Sequence, residues 1–116
     1  MRNYKELQIW QKGIETVKEV YLFSKKLPLN EQYGLRSQIT RSAVSIPSNI
    51  AEGCSRSSKK DFARFLEIAL GSSYELDTQL HIAELVELCD EKEAKNIIEL
   101  NCQLQRMITT YLNKIR

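Results

Sequence analysis

His81 is the single histidine of the chain and stands between Leu80 and Ile82, whereas general acid–base or nucleophilic catalysis needs such a group to have a partner. No nucleophile–base pair is recognisable, so the side chain reads as structural or surface and no enzyme is expected. Cys54, Cys89 and Cys102 are odd in number and none stands in a CxxC pair, which supports neither a disulfide framework nor a zinc site. They read as reduced thiols, with Cys102 expected in the core. Gly71-Ser72-Ser73 is not a phosphate loop, because no Lys-Ser/Thr follows it and it lies inside a helical pattern. Glu67 and Glu75 fall on one helix face with Gly71 midway. Carboxylates so placed hold two metals in some bundles, but that chemistry adds a Glu-x-x-His motif from two helices. The chain has none, so neither metal nor cofactor is expected, and these carboxylates are expected to pair with cations, for instance Arg41.

Charge is the second chemical signal. The net charge is +2, but between Gly34 and Arg64 the bases Arg36, Arg41, Arg56, Lys59, Lys60 and Arg64 face only Glu52 and Asp61, while Phe65 to Leu100 is dominated by acids such as Glu67, Glu75, Glu84, Glu87 and Glu93. Arg56, Lys59, Lys60 and Arg64 surround the start of a helix, whose free amides also favour anions. The cluster reads either as a solvated helix end or as a contact for a phosphate backbone, with affinity that falls as salt rises. No base-reading motif accompanies it, so weak sequence preference is expected.

These residues need helices to position them. With 116 residues, two prolines and four glycines, the chain has too few turn residues for a sandwich or barrel and suits one domain over residues 1–116. Ile9, Trp10, Ile14, Val17, Val20, Tyr21 and Phe23 predict a helix from about Leu7 to Lys26, ended by Leu27-Pro28. A second, from Glu31 or Gly34 to about Glu52, has an apolar stripe of Leu35, Ile39, Ala43, Ile46 and Ile50, is kinked but not broken at Pro47, and is capped by Gly53. Ser57 or Ser58 caps a third helix from about Lys59, whose apolar series runs on past Gly71, Ser72 and Ser73. Small residues in mid-helix there imply a close approach by a neighbouring backbone. Asp90 caps a fourth helix, from about Glu91 to Lys114. Short connections between four helices predict an all-α, antiparallel up-down-up-down four-helix bundle.

On the second helix Gln38, Arg41, Ser42, Ser45, Asn49 and Glu52 form a polar stripe. It either faces water or packs as a network that fixes a helix register or a subunit contact. The charged start MRNYKELQIWQKG lacks the apolar run of a signal peptide and no stretch is long enough to span a bilayer, so a cytoplasmic protein without a membrane partner is expected.

The segments LQIWQKG, EQYGLRSQITRSAVSIPSNIAEG and FLEIALGSSYEL cover these elements, and SIPSNIAEG followed by ALGSSYEL is a specific combination. In them the chain resembles the four-helix-bundle proteins of intervening sequences in bacterial 23S rRNA genes, the S23 or IVS type. The resemblance implies a homopentamer and a relationship to accessory variability proteins of diversity-generating retroelements, which are basic and bind nucleic acid and a reverse transcriptase. The modest net charge of +2 favours the intervening-sequence type. The family pattern marks Gln38, Arg41, Ser45, Pro47, Asn49, Glu52 and Gly53, with Glu67, Gly71, Ser72 and Glu75, as a structural network or oligomer contact. The function expected is a non-enzymatic homo-oligomer that binds RNA or DNA without sequence preference. The alternative is a protein-interaction scaffold or reverse-transcriptase accessory protein with no nucleic-acid affinity of its own.

Overall fold

A computed structural model describes residues 2–31 and 33–116, leaving Met1 and Gln32, the latter inside the second family segment, outside the described residues. Its elements are helical throughout: α1 (Gln8–Ser24), α2 (Leu35–Cys54), α3 (Lys59–Leu85) and α4 (Glu91–Ile115), with short 3-10 turns at Tyr4–Glu6 and Leu29–Glu31. Each long helix packs on its neighbours in the chain, and α1 also meets α4. A single apolar core draws on all four, including Val20, Phe23, Ile39, Ile46, Phe62, Leu66, Leu80, Leu104 and Ile108. The molecule is elongated, 43 Å along its major axis against 23 and 19 Å across. No helix is long and apolar enough to cross a membrane.

The starts and stops follow local chemistry. Ser58 is extended and its hydroxyl accepts a hydrogen bond from the Asp61 amide at 3.1 Å, which fixes the first turn of α3. At the other end of α3, Leu88 N–H reaches back to the Ala83 carbonyl and Glu87 N–H to that of Glu84. This is a Schellman stop in which Glu87, at φ 58°, occupies the left-handed position where glycine is usual. No glycine signalled that stop in the sequence.

The glycines depart from expectation. Gly53 is not a cap: it is buried inside α2, which runs on to Cys54 with Ser55 as cap. A Cβ at Gly53 would lie 2.8 Å from the Phe65 Cβ and 3.1 Å from the Phe62 Cδ1, so its absence lets the first turns of α3 close against α2. Pro47 is buried within an unbroken α2, and a Cβ on Gly13 would stand 3.3 Å from its ring, so the close approach of α1 occurs there. Gly71, expected to admit a neighbouring backbone, is exposed and has nothing among the described residues within 4 Å of an added Cβ. Gly71→Ala should therefore raise stability by about 0.5–1 kcal/mol through helix propensity alone. A urea titration checks this; destabilisation would mean that the open face is covered in solution.

Cys54, not Cys102, is the cysteine in the core. Burial raises its thiol pKa, and the Arg2 charge opposes that shift only in part. Cys102 is half-buried, with the Arg106 guanidinium 3.2 Å from its sulfur.

Candidate nucleic-acid interface

The polar stripe of α2 divides along its length. Ser45 and Ser72 share a hydrogen bond of 2.8 Å between α2 and α3, and Asn49 Nδ2 donates to the Ser45 carbonyl at 2.8 Å and to its hydroxyl at 2.9 Å. Ser42 donates to Gln79 Oε1 at 2.7 Å, and both side chains are buried. This half is a packed network. Gln38 and Arg41 are exposed at the rim of a shallow α2–α3 groove beside Glu75 and Gln79.

The expected pairing of Arg41 with Glu67 or Glu75 does not form. Glu67 instead accepts from Arg116 Nη1 at 2.8 Å, because α4 ends beside the start of α3. Among the described residues Arg41 makes no ion pair, and Glu52 holds Arg56 at 3.1 Å, one turn further along its own chain. His81 is a surface side chain 3.5 Å from Asp77, and no group of three or more metal-ligating side chains occurs among the described residues.

A deeper polar pair escaped the sequence reading. Ser73 Oγ donates to Asn101 Oδ1 at 2.7 Å and Asn101 Nδ2 returns a bond to the Ser73 carbonyl at 2.9 Å, with both residues fully buried between α3 and α4. An asparagine at the helical spacing of Ile97, Leu104 and Ile108 is its only sequence signal.

The basic residues do not form one patch of six. Arg36 lies in the first turn of α2 and Arg56 beyond its last, so about 30 Å of helix separates them. Arg56, Lys59, Lys60 and Arg64 do gather at the α2–α3 connection, and residues from both chain ends join them. The Arg2 guanidinium lies 4.0 Å from the centre of the Phe62 ring, and Phe62 meets Tyr111 edge-on with centroids 5.9 Å apart. Arg56 and Arg64 lie 4.8 and 5.6 Å from the centre of the Phe65 ring. Three guanidiniums are thus held against aromatic faces, which costs them little further order on binding an anion; Arg56 also donates to Glu52, so among the described residues the edges of Arg2 and Arg64 are the ones without an ion pair. Lys59, Lys60 and Arg64 make no ion pair among the described residues and are exposed.

The opposite end gathers the carboxylates Glu84, Glu87, Asp90, Glu91 and Glu93, interspersed with Lys25, Lys26, Lys92 and Lys95. Lys26 reaches Glu93 at 2.9 Å where α1 ends and α4 begins. Burial, followed by the carboxylates of Glu84, Asp90 and Glu93, raises the pKa of the Cys89 thiol there. Glu84 is half-buried, and its Oε2 is enclosed without a hydrogen-bond partner among the described residues.

Known proteins match this chain in sequence and in shape. No curated protein matches this chain in sequence. A crystal structure of a protein of unknown function from the S23 ribosomal protein family of Bacteroides thetaiotaomicron superposes with a TM-score of 0.82 at 25% identity, covering 90% of this chain and 97% of that one. The family of 23S rRNA-intervening sequence proteins matches residues 5–110, a span that takes in all of α1, α2 and α3 and most of α4. The chain belongs to the 23S rRNA-intervening sequence protein family.

Proposed function

We propose that this protein is a non-enzymatic, cytoplasmic homo-oligomer that holds the phosphate backbone of RNA or DNA on the basic end of each bundle. The observation that carries the reading is the convergence of Arg2, Arg56 and Arg64, stacked on Phe62 and Phe65, with the exposed Lys59 and Lys60, which make no ion pair among the described residues. Such a surface binds through counterion release and reads little sequence. The pairings Ser42–Gln79 and Ser45–Ser72, in which one number rises as the other falls, fit an antiparallel up-down-up-down bundle with both chain ends at the basic pole.

Self-association has a suitable surface along α1 and α2. Trp10, Ile14, Val17 and Tyr21 line it from α1, and Val44 and Ala51 from α2. Ile14, Tyr21 and Val44 remain 43%, 46% and 38% exposed, more apolar surface than a helical seam in water needs to leave open. A pentamer is the number the family resemblance implies. Several basic ends in one assembly convert weak contacts into strong ones.

The test is light scattering for mass, then fluorescence anisotropy with structured RNA and duplex DNA over a salt series. The expected result is an oligomer whose affinity falls steeply with salt. The triple variant Lys59→Gln, Lys60→Gln, Arg64→Gln should reduce the slope of log K against log salt by about 2–3 per bundle, close to one unit per lost phosphate contact. Unchanged binding by that variant rules out this end as the site. A monomer, or an oligomer that ignores both nucleic acids at low salt, leaves a protein partner at the acidic end as the reading to pursue, with the exposed Glu87 the first residue to change.

A further inference from the structure

At the same pole as the basic end, α1 and α4 leave an open groove of about 560 Å³. Its apolar lining is Leu7, Ile9, Met107 and Tyr111, and Arg106 and Lys114 stand on its rim with Thr110. This volume lies within the roughly 300–1,000 Å³ of sites that take a small organic group. Tyr111 belongs to both features, lining the groove and packing edge-on against the Phe62 ring that carries Arg2. A chain of phosphates on the basic end therefore passes within one aromatic ring of an apolar slot.

We infer that this groove takes an unpaired nucleobase, so that the protein prefers single-stranded or bulged nucleic acid to a duplex; the inference rests on the nucleic-acid reading above. Charge complementarity selects the occupant. Lys114 makes no ion pair among the described residues and is exposed on the rim, and Arg106, 3.7 Å from Glu99, adds a second cation. A ligand that fits must be flat and apolar in the slot and anionic along the α4 wall, where Arg106 and Lys114 stand, which describes a nucleotide within a strand. In a duplex the base stays paired and cannot enter, whereas a free strand can splay one out. Glu6, the carboxylate on the same rim, does not oppose this, because a carboxylate accepts from the exocyclic amino group of a base.

The experiment compares fluorescein-labelled single-stranded and duplex oligonucleotides of one sequence, by anisotropy at fixed salt, on the full chain and on Thr110→Leu. Thr110 is exposed, so the larger aliphatic side chain extends over the slot without disturbing the core and offers no ring on which a base can stack, and circular dichroism confirms that the helices persist. The wild type should favour the single strand by about fivefold or more, the lower limit for stacking one base. Thr110→Leu should lose that preference while keeping its duplex affinity. Equal binding of both forms by the wild type overturns the groove and leaves the basic end standing; no binding of either overturns both. A preference that survives in Thr110→Leu also overturns it. So does a groove that takes up dodecanoate, abolished by Thr110→Leu, while the single-strand preference is unchanged.

Discussion

Phe62→Ala should lower the stability of this protein by about 3–5 kcal/mol, the usual cost of emptying a buried aromatic site. Phe62 is fully buried and among the largest side chains in the core. Its loss would do more than leave a cavity. The ring supports Arg2 at 4.0 Å, meets Tyr111 at 5.9 Å, and fills the space that the missing Cβ of Gly53 leaves open. The α2–α3 contact, the start of the chain and the end of α4 therefore loosen together. Urea unfolding followed by circular dichroism, at one fixed protomer concentration, measures the effect. Phe62→Leu fills most of the volume and should cost far less, yet it removes the aromatic face under Arg2. A Phe62→Ala unfolding free energy within about 1 kcal/mol of wild type would mean that the bundle end repacks freely, a plasticity that the two close approaches at Gly53 argue against.

Asn101→Ala should cost about 2–3 kcal/mol, since it removes a side-chain pair and strands the Ser73 hydroxyl in a buried site. The two side chains act as a unit, so Ser73→Ala together with Asn101→Ala should cost clearly less than the sum of the single changes. Replacing the pair by Ser73→Ala and Asn101→Leu should bring stability back near wild type, because no polar group is then left unpaired. What that variant loses is the single register of α3 against α4, visible as broadened side-chain resonances in an NMR spectrum. Additive single costs would show that Ser73 bonds back within its own helix and that the pair does not fix the register.

Periodicity made the four helices legible, and their limits were expected to within a few residues, because apolar stripes such as Leu35, Ile39, Ala43, Ile46 and Ile50 leave little freedom. The basic segment Arg56 to Arg64 was equally visible, since its members are neighbours in the chain. Arg2 was not, because it reaches Phe62 only when the fold brings the chain start beside α3. The same holds for Arg116 beside Glu67 and for Tyr111 beside the groove, all separations that no local pattern records. Gly53 and Gly71 were read the wrong way round for one reason: a glycine in a helix shows where a side chain is missing but not what stands opposite. Asn101 was passed over because an amide at a core position resembles a surface residue until its partner on another helix is known.

The separation of charge along the 43 Å axis has a consequence for how this protein meets other molecules. With Arg2, Lys59, Lys60 and Arg64 at one pole and Glu84, Asp90 and Glu93 at the other, the bundle is an electric dipole laid along its length. In the field of a polyanion it turns before it touches, so encounters are pole-first and productive orientation precedes contact. Once seated, it shows the solvent a carboxylate-rich pole. On the function proposed above, a strand coated by such molecules would turn this pole outward, where Glu84, Glu87, Asp90, Glu91 and Glu93 outnumber Lys25, Lys26, Lys92 and Lys95, and would not be drawn together by its own coat.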